Sequence, residues 1–258
     1  MSSKPVSVAT ACRNEEEVLP WYFSSLYAIR DIIEEIIIVD GGSTDRTHEI
    51  IQAAAKVLPV QLIVRDDFQY VTQQKNLAIS LCKAPFVMAL DSDETIDSLL
   101  PQKLSSLTGN GLAWHFMKWY TIRDRFHHAR NSPGGPCHKI FKNGHGIRYN
   151  RKIHDHFCIP NKEYDGGALQ GNQIHPSNAL HIHLFDNRLR CSDEGLLKKW
   201  NQWKERGILQ HSAEEGIALP ENFWLLGKQG SFNVPGAEIP FDPQIRGCIL
   251  WSEEEYPW

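Results

Sequence analysis

An α/β domain with a mainly parallel central sheet flanked by helices is the fold class the sequence predicts, on three observations. Short apolar and β-branched runs alternate with helix-length amphipathic segments through about the first 100 residues. One run, Ile36-Ile37-Ile38-Val39, is apolar at every position, as in a strand buried on both faces. Polar residues gather where the runs end, at Thr10 to Asn14, Asp40 to Asp45, Arg65 to Asp67 and Asp91 to Glu94. Strands joined by single helices pair in parallel, and ligands of such sheets bind at the carboxyl ends of the strands.

Taken in order, Val6–Thr10 reads as the first strand. Asn14 then stands as a helix cap with Glu17 three residues later. The helix-like segment runs from Val18 to Ile33, with Leu19, Trp21, Phe23, Leu26, Tyr27 and Ile29 as its apolar positions. Ile36–Val39 is the second strand, and Gly41-Gly42-Ser43-Thr44 turns the chain into a helix over Asp45–Val57. Val60–Val64 is a third strand, Thr72–Cys82 a further helix, and Phe86–Leu90 a fourth strand that ends on Asp91-Ser92-Asp93. From about Gly109 the alternation dissolves, and ten of the twelve histidines fall between His115 and His183. Glu194–Arg206 returns to a helical pattern with Leu196, Leu197, Trp200 and Trp203 on one stripe.

Composition narrows the function classes. The 258 residues are 41% hydrophobic and 22% charged, an ordinary globular balance. A net charge of −4 gives no electrostatic footprint for general nucleic-acid binding. No apolar run approaches the ~20 residues of a transmembrane helix. Met1-Ser2-Ser3-Lys4-Pro5 leads into a strand rather than a signal peptide, and the six cysteines include no CxxC pair. A soluble, cytoplasmic protein is the expectation, with a peripheral place at the membrane left open.

The chemistry sits at the strand ends. Neither G-x-G-x-x-G nor G-x-x-x-x-G-K-[ST] occurs, which removes most of the case for a dinucleotide dehydrogenase or a P-loop ATPase. Carboxylates stand there instead, and they would repel a diphosphate unless a divalent cation intervened. Asp91-x-Asp93, preceded by Val87-Met88-Ala89-Leu90 and followed by Glu94, is the sharpest signal. Such a pair can hold Mg²⁺ or Mn²⁺ by one or two oxygens and leave the remaining shell to phosphates and water.

Four segments in order carry a family resemblance: Val8 to Glu15, Ile37 to Thr47, Gln74 to Ala78, and Leu90 to Glu94. Together they resemble family 2 glycosyltransferases of the GT-A fold, closely over residues 4–100 and loosely beyond. The resemblance implies that Thr10, Ala11, Arg13 and Glu15 lie along the nucleotide base and that Asp40 accepts a hydrogen bond from its imide N–H. It places Arg65, Asp66 and Lys75 near the nucleotide, with Lys75 giving positive charge to the diphosphate. Asp91, with Ser92 beside it, then contacts ribose or metal, and Asp93 binds the cation. Glu15 also reads as a first-turn acid favoured by the helix dipole, Asp40 as a turn residue before Gly41-Gly42, Lys75 as a solvated surface lysine, and Asp45 as a helix N-terminal acid.

In the histidine-rich part, His154-Asp155-His156 follows Lys139-Ile140-Phe141-Lys142. Relatives with an Arg-x-Phe-Arg stretch and a His-Glu pair make Asp155 the candidate general base. In His181-Ile182-His183 the two imidazoles face opposite sides of a strand. His183 aligns with the histidine that completes the metal shell in a number of GT-A enzymes. A structural zinc site from Cys137, His138, His154, His156, Cys158, His181 and His183 competes with this, on poor ligand spacing.

The resemblance thus implies one glycosyltransferase domain over 1–258: a nucleotide-sugar-binding half (1–110), an acceptor and metal half (111–190) and a C-terminal helix and tail (191–258). The implied activity is metal-dependent transfer from a nucleoside-diphosphate sugar, UDP first, to a glycan, glycolipid or protein hydroxyl, with inversion and with Mn²⁺ or Mg²⁺. A non-catalytic sugar-nucleotide or carbohydrate binder is the first rival. A sugar nucleotidyltransferase is the second, weakened because Thr10 to Asn14 lacks that class's glycine-rich loop.

Overall fold

The computed structural model describes residues 4–16, 18–96, 100–104, 113–121, 127–130 and 137–149, with shorter pieces at 157–158, 183–186, 201 and 238–240. Its first half runs β1 (Val6–Cys12), α1 (Leu19–Ala28), β2 (Ile33–Asp40), α2 (Thr47–Ala54), β3 (Val60–Val64), α3 (Val71–Leu81) and β4 (Phe86–Ala89). There follow β5 (Glu94–Ile96), α4 (Leu100–Leu104), β6 (Ala113–Thr121), β7 (His127–Arg130), β8 (Cys137–Lys142) and β9 (Arg148–Tyr149). Beyond them, β10 (Phe157–Cys158), β11 (His183–Asp186) and β12 (Glu238–Pro240) are described.

The main sheet has the order β12-β7-β6-β8-β4-β1-β2-β3, with β11 joined to β5 and β6. β1 pairs in parallel with β2 and β4, and β2 with β3, as single-helix crossovers require. The predicted α/β class with a parallel core and flanking helices is therefore what the chain forms. Past β4 the sheet turns antiparallel, beginning with β4 against β8.

Strand parity divides the core into two layers, and this division decides which side chains can meet at the strand ends. On one face Val6 and Val8 of β1, Ile36 and Ile38 of β2, and Met88 of β4 pack with Leu19, Tyr22, Phe23 and Leu26 of α1 and with Ile51 and Ala54 of α2. On the other face Ala9, Ile37, Val39, Val87, Ala89 and Phe141 pack with Ala78 and Ile79 of α3. Continued past the strand ends, the first series brings Thr10, Cys12 and Asp40 to the α1–α2 face. The second brings Ala11, Arg13, Gly41, Asp91 and Lys139 to the α3 face.

Two expectations are corrected. Helix α1 begins at Leu19, with Pro20 in its first turn where a missing N–H costs nothing, and no side chain caps it. Asn14 is not a helix cap: it sits in the left-handed region at φ 56°, and its Oδ1 accepts the Thr44 N–H at 2.8 Å. The helix also ends at Ala28 rather than Ile33, because a short 3₁₀ turn over Arg30–Ile32 feeds Ile33 directly into register with Val6. The C-terminal helix expected over Glu194–Arg206 lies outside the described residues, apart from Asn201. No helix among the described residues is long and apolar enough to cross a membrane.

Candidate active site

The loops after β1 and β2 are stitched together by side chains. Asn14 N–H donates to Ser43 Oγ at 2.8 Å, and Glu15 N–H donates to Thr47 Oγ1 at 2.9 Å. Asp45 accepts from Thr47 N–H at 3.0 Å and from Glu16 N–H at 3.2 Å, just ahead of α2, whose first-turn acid is Glu49. The Arg65 N–H reaches the Asp40 carbonyl at 2.8 Å and draws the end of β3 against the same loop.

Asp40 is the organising group of this loop. Its carboxylate is fully enclosed and accepts Gly42 N–H at 3.0 Å, Ser43 N–H at 2.8 Å and the Ser43 hydroxyl. His48 Nε2 of α2 lies 2.8 Å from Oδ1, and the Cys12 thiol points at Oδ2 from 3.5 Å. Burial pushes the Asp40 carboxyl up, but the hydrogen bonds from Ser43, His48 and Cys12 outweigh it and hold it below the ordinary carboxylate range. Burial, followed by the Asp40 charge, pushes the Cys12 thiol well up, so Cys12 is a neutral thiol here.

Asp40 and Thr10 both stand on the α1–α2 face, where Thr10 Oγ1 hydrogen-bonds the buried Tyr22 hydroxyl and Asp40 meets His48 of α2. Gly41 occupies the α3-face position beside Asp40, and it is glycine for a reason. A Cβ there would come within 2.4 Å of Gln74 Nε2 and 3.5 Å of Arg13 Cδ. Ala11, Arg13, Gly41 and the buried Gln74 thus form one wall, and sequence reasoning gave Gln74 no role.

Gly42 closes the loop at φ +80°, with a would-be Cβ 2.9 Å from Asp66 Cβ. Gly42→Ala is expected to cost about 1–2 kcal/mol from the left-handed backbone alone, plus the Asp66 contact. Gly144, at φ +81° with open space around it, isolates the two causes. In urea melts, Gly144→Ala should lose less than Gly42→Ala; equal losses would remove the contact from the account. Arg65 forks onto Asp67 at 2.7 and 2.8 Å and stacks over Phe68 at 4.4 Å, so its guanidinium is held at the rim.

The acidic corner holds the main departure from the sequence picture. Lys75 Nζ of α3 lies 2.6 Å from Asp91 Oδ1 and 4.8 Å over the Tyr149 ring. Lys139 Nζ of β8 lies 3.3 Å from Asp91 Oδ2 and 2.6 Å from Glu94 Oε2. Glu94 Oε2 also accepts the Asp91 N–H at 2.9 Å. Ser92, Asp93, Glu94 and Lys139 are all buried, at 4%, 4%, 0% and 7% exposure. A lysine so enclosed is tolerated only with its charge matched, and two carboxylates match it here. The strand ends are therefore lined by acid and base together.

This donor set fits a divalent cation in one way. Mg²⁺ and Mn²⁺ need only one or two protein carboxylates when phosphates and water complete the shell. Asp93 is such a carboxylate; Asp91 is engaged on both oxygens by lysines. The β5–β11 register sets Asp186 opposite Glu94, Phe185 opposite Thr95 and Leu184 opposite Ile96. His183 lies three positions further along, about 10 Å at ~3.4 Å per residue, with Met117 of β6 beside it. The backbone register thus sets Asp186 opposite Glu94. Asp155 lies outside the described residues, as do His154, His156 and His181 of the zinc alternative. Among the described residues no cluster of three or more His, Cys, Asp or Glu is built to hold a metal by itself.

The model of glycosyl transferase family 2 matches residues 7–161. The chain is 30% identical over 242 residues to a TPR repeat-containing protein of Synechococcus elongatus, covering 91% of this chain and 53% of that one. It is 32% identical over 196 residues to the lipopolysaccharide core biosynthesis glycosyltransferase LpsC of Rhizobium meliloti, covering 76% and 67%. The chain thus spans between about half and two thirds of the length of these relatives. Among solved structures, S. aureus TarS in complex with UDP is similar at 19% identity and TM-score 0.43, over 52% of this chain and 38% of that one. With a family model over more than half its length and a parallel α/β core to match, the chain belongs to glycosyl transferase family 2.

Proposed function

We propose that the protein transfers a sugar from a nucleoside-diphosphate sugar to an acceptor hydroxyl of a glycan, glycolipid or protein, with inversion at the anomeric carbon. UDP is the first donor nucleotide to test, on the family resemblance. The observation that carries this reading is the corner at the end of β4, where buried Asp93 adjoins an Asp91 held by Lys75 and Lys139. A crevice of that charge suits a diphosphate at the carboxyl ends of parallel strands.

In this reading Ala11, Arg13 and Gly41, backed by Gln74, form the wall for the base. Asp40 acts at one remove by fixing the loop Gly41–Ser43, and Glu15 helps pin that loop through Thr47. Arg65 and Asp66 border the nucleotide, and Asp91 with Ser92 meets the ribose side. Lys75 offsets the charge that gathers on the diphosphate as the sugar departs. Asp93 would hold Mn²⁺ or Mg²⁺, which when bound supplies Lewis-acid stabilisation of the leaving group. The sugar passes through an oxocarbenium-like state, as in glycoside hydrolysis. A carboxylate, for which Asp155 remains the candidate, accepts the acceptor's proton.

Thermal shift with a panel of nucleoside diphosphates, with and without Mn²⁺, tests the reading. UDP is expected to raise the melting temperature more with Mn²⁺ than with EDTA, and incubation with donor and acceptor should release the nucleoside diphosphate. Equal stabilisation in EDTA would count against a cation-bridged diphosphate. Binding without release would leave a sugar-nucleotide binder, and pyrophosphate release a nucleotidyltransferase.

A further inference from the structure

We infer that Lys139 couples the two ligands of this site, discouraging a divalent cation from binding at Asp91–Asp93 until a nucleoside diphosphate arrives. The inference rests on the function proposed above and adds to it a residue to which neither the sequence motifs nor the comparisons give a role.

The argument begins with where the strand puts Lys139. Phe141 of β8 packs on the α3 face with Val87 and Ala89, so Lys139, two residues earlier, projects on that face too. The antiparallel register pairs Ile140 with Met88 and Phe141 with Val87. One step further, Lys139 stands beside Ala89, two residues short of Asp91. Its ammonium bridges Asp91 Oδ2 at 3.3 Å and Glu94 Oε2 at 2.6 Å, while Lys75 holds Asp91 Oδ1 at 2.6 Å.

The carboxylates of Asp91 and Glu94 therefore meet two ammonium groups, with buried Asp93 between them in sequence. A bare divalent cation entering this corner meets two positive charges within a few ångströms, at sites too enclosed for water to screen them fully. A diphosphate brings several negative charges and reverses that balance. Both ammonium groups then attract the incoming ligand, and the cation follows its phosphates. Each ligand strengthens the other's binding, and the coupling is reciprocal by thermodynamic necessity. Removing the Lys139 charge takes one ammonium from Asp91 and Glu94, so cation affinity without nucleotide must rise while diphosphate affinity falls. A purely structural lysine would lower both.

The test is Mn²⁺ binding by electron paramagnetic resonance of the full chain, with and without saturating UDP. Wild type should bind Mn²⁺ at least about tenfold more tightly with UDP than without. In Lys139→Met the affinity for Mn²⁺ alone should rise about tenfold, UDP affinity should fall, and the UDP enhancement should shrink. Lys139→Arg, which keeps the charge, should stay near wild type. If Lys139→Met does not fold, Lys75→Met removes the other ammonium and should shift Mn²⁺ affinity in the same direction. Unchanged or weaker binding of Mn²⁺ alone in a folded Lys139→Met variant overturns the coupling role, with UDP and Mn²⁺ still binding wild type. Failure of wild type to bind UDP with Mn²⁺ overturns the proposed function itself.

Discussion

An Asp93→Ala variant is expected to lose sugar transfer by about 10²–10³-fold while keeping its fold. The loss follows from the chemistry of the leaving group. Stabilisation of a departing diphosphate by a fixed charge contributes several kcal/mol to the barrier, and each 1.4 kcal/mol or so is a factor of ten in rate. Asp93 is an enclosed carboxylate of the corner, and both oxygens of its neighbour Asp91 are held by lysines. Its removal takes one negative charge from the acidic run Asp91-Ser92-Asp93-Glu94, so the melting temperature should change little. Two measurements separate the causes: turnover with a sugar nucleotide, and the thermal shift with UDP in Mn²⁺ against EDTA. Turnover within about threefold of wild type, or an undiminished Mn²⁺-dependent shift, would remove Asp93 from the cation role.

The parallel core was legible because its signal is local. Ile36–Val39 is apolar on both sides, each strand run is short, and each helix between them has an apolar stripe. These features survive without knowledge of any partner strand. The four strand ends where polar residues collect do converge, as the crevice rule for open parallel sheets requires.

The faces were not legible in the sequence. The family resemblance sets Thr10 along the base and Asp40 on its imide N–H, and it says nothing of the rule that side chains two residues apart share a side of a strand. Val8 and Ile38 face α1 and α2, so Thr10 and Asp40 do as well. The same parity, applied to Val39 and Ala89, gives Gly41 and Asp91 to the opposite side. The signal was present in the sequence but required knowing which helix covers which face.

Lys139 was hidden for a different reason. Its partners Asp91 and Glu94 are more than forty residues away in the chain, and only the antiparallel pairing of β4 with β8 brings them together. The sequence sets Lys139-Ile140-Phe141-Lys142 beside the Arg-x-Phe-Arg stretch of relatives and gives Lys139 no partner. The burial of its ammonium, and hence the mixed charge of the crevice, is a tertiary fact. The cap assigned to Asn14 failed similarly: an Asn before an acidic, apolar segment has the sequence of a helix start, but its side chain serves the β2 loop through Thr44.

Asp40 should carry the largest stability effect among the site residues. Asp40→Ala is expected to destabilise the fold by several kcal/mol, because each buried donor left without its acceptor costs about 1–3 kcal/mol. The donors of Gly42, Ser43 and His48 would lose their shared acceptor inside the protein. Its pH dependence has a definite sign. The folded-state pKa lies below the unfolded value, so the carboxylate's contribution is fully present above about pH 4 and is lost as the pH falls through the folded value. Asp40→Asn keeps one acceptor oxygen but cannot titrate, so its urea midpoint should be lower than wild type at pH 7 and should fall less steeply on acidification. Superimposable acid limbs would show that Asp40 contributes no such linkage. Because Asp40 faces away from the α3 side, its variants should weaken UDP binding only through disorder of Gly41–Ser43. Binding should then recover in part when the loop is stiffened independently, a recovery that a direct contact between Asp40 and the base would not permit.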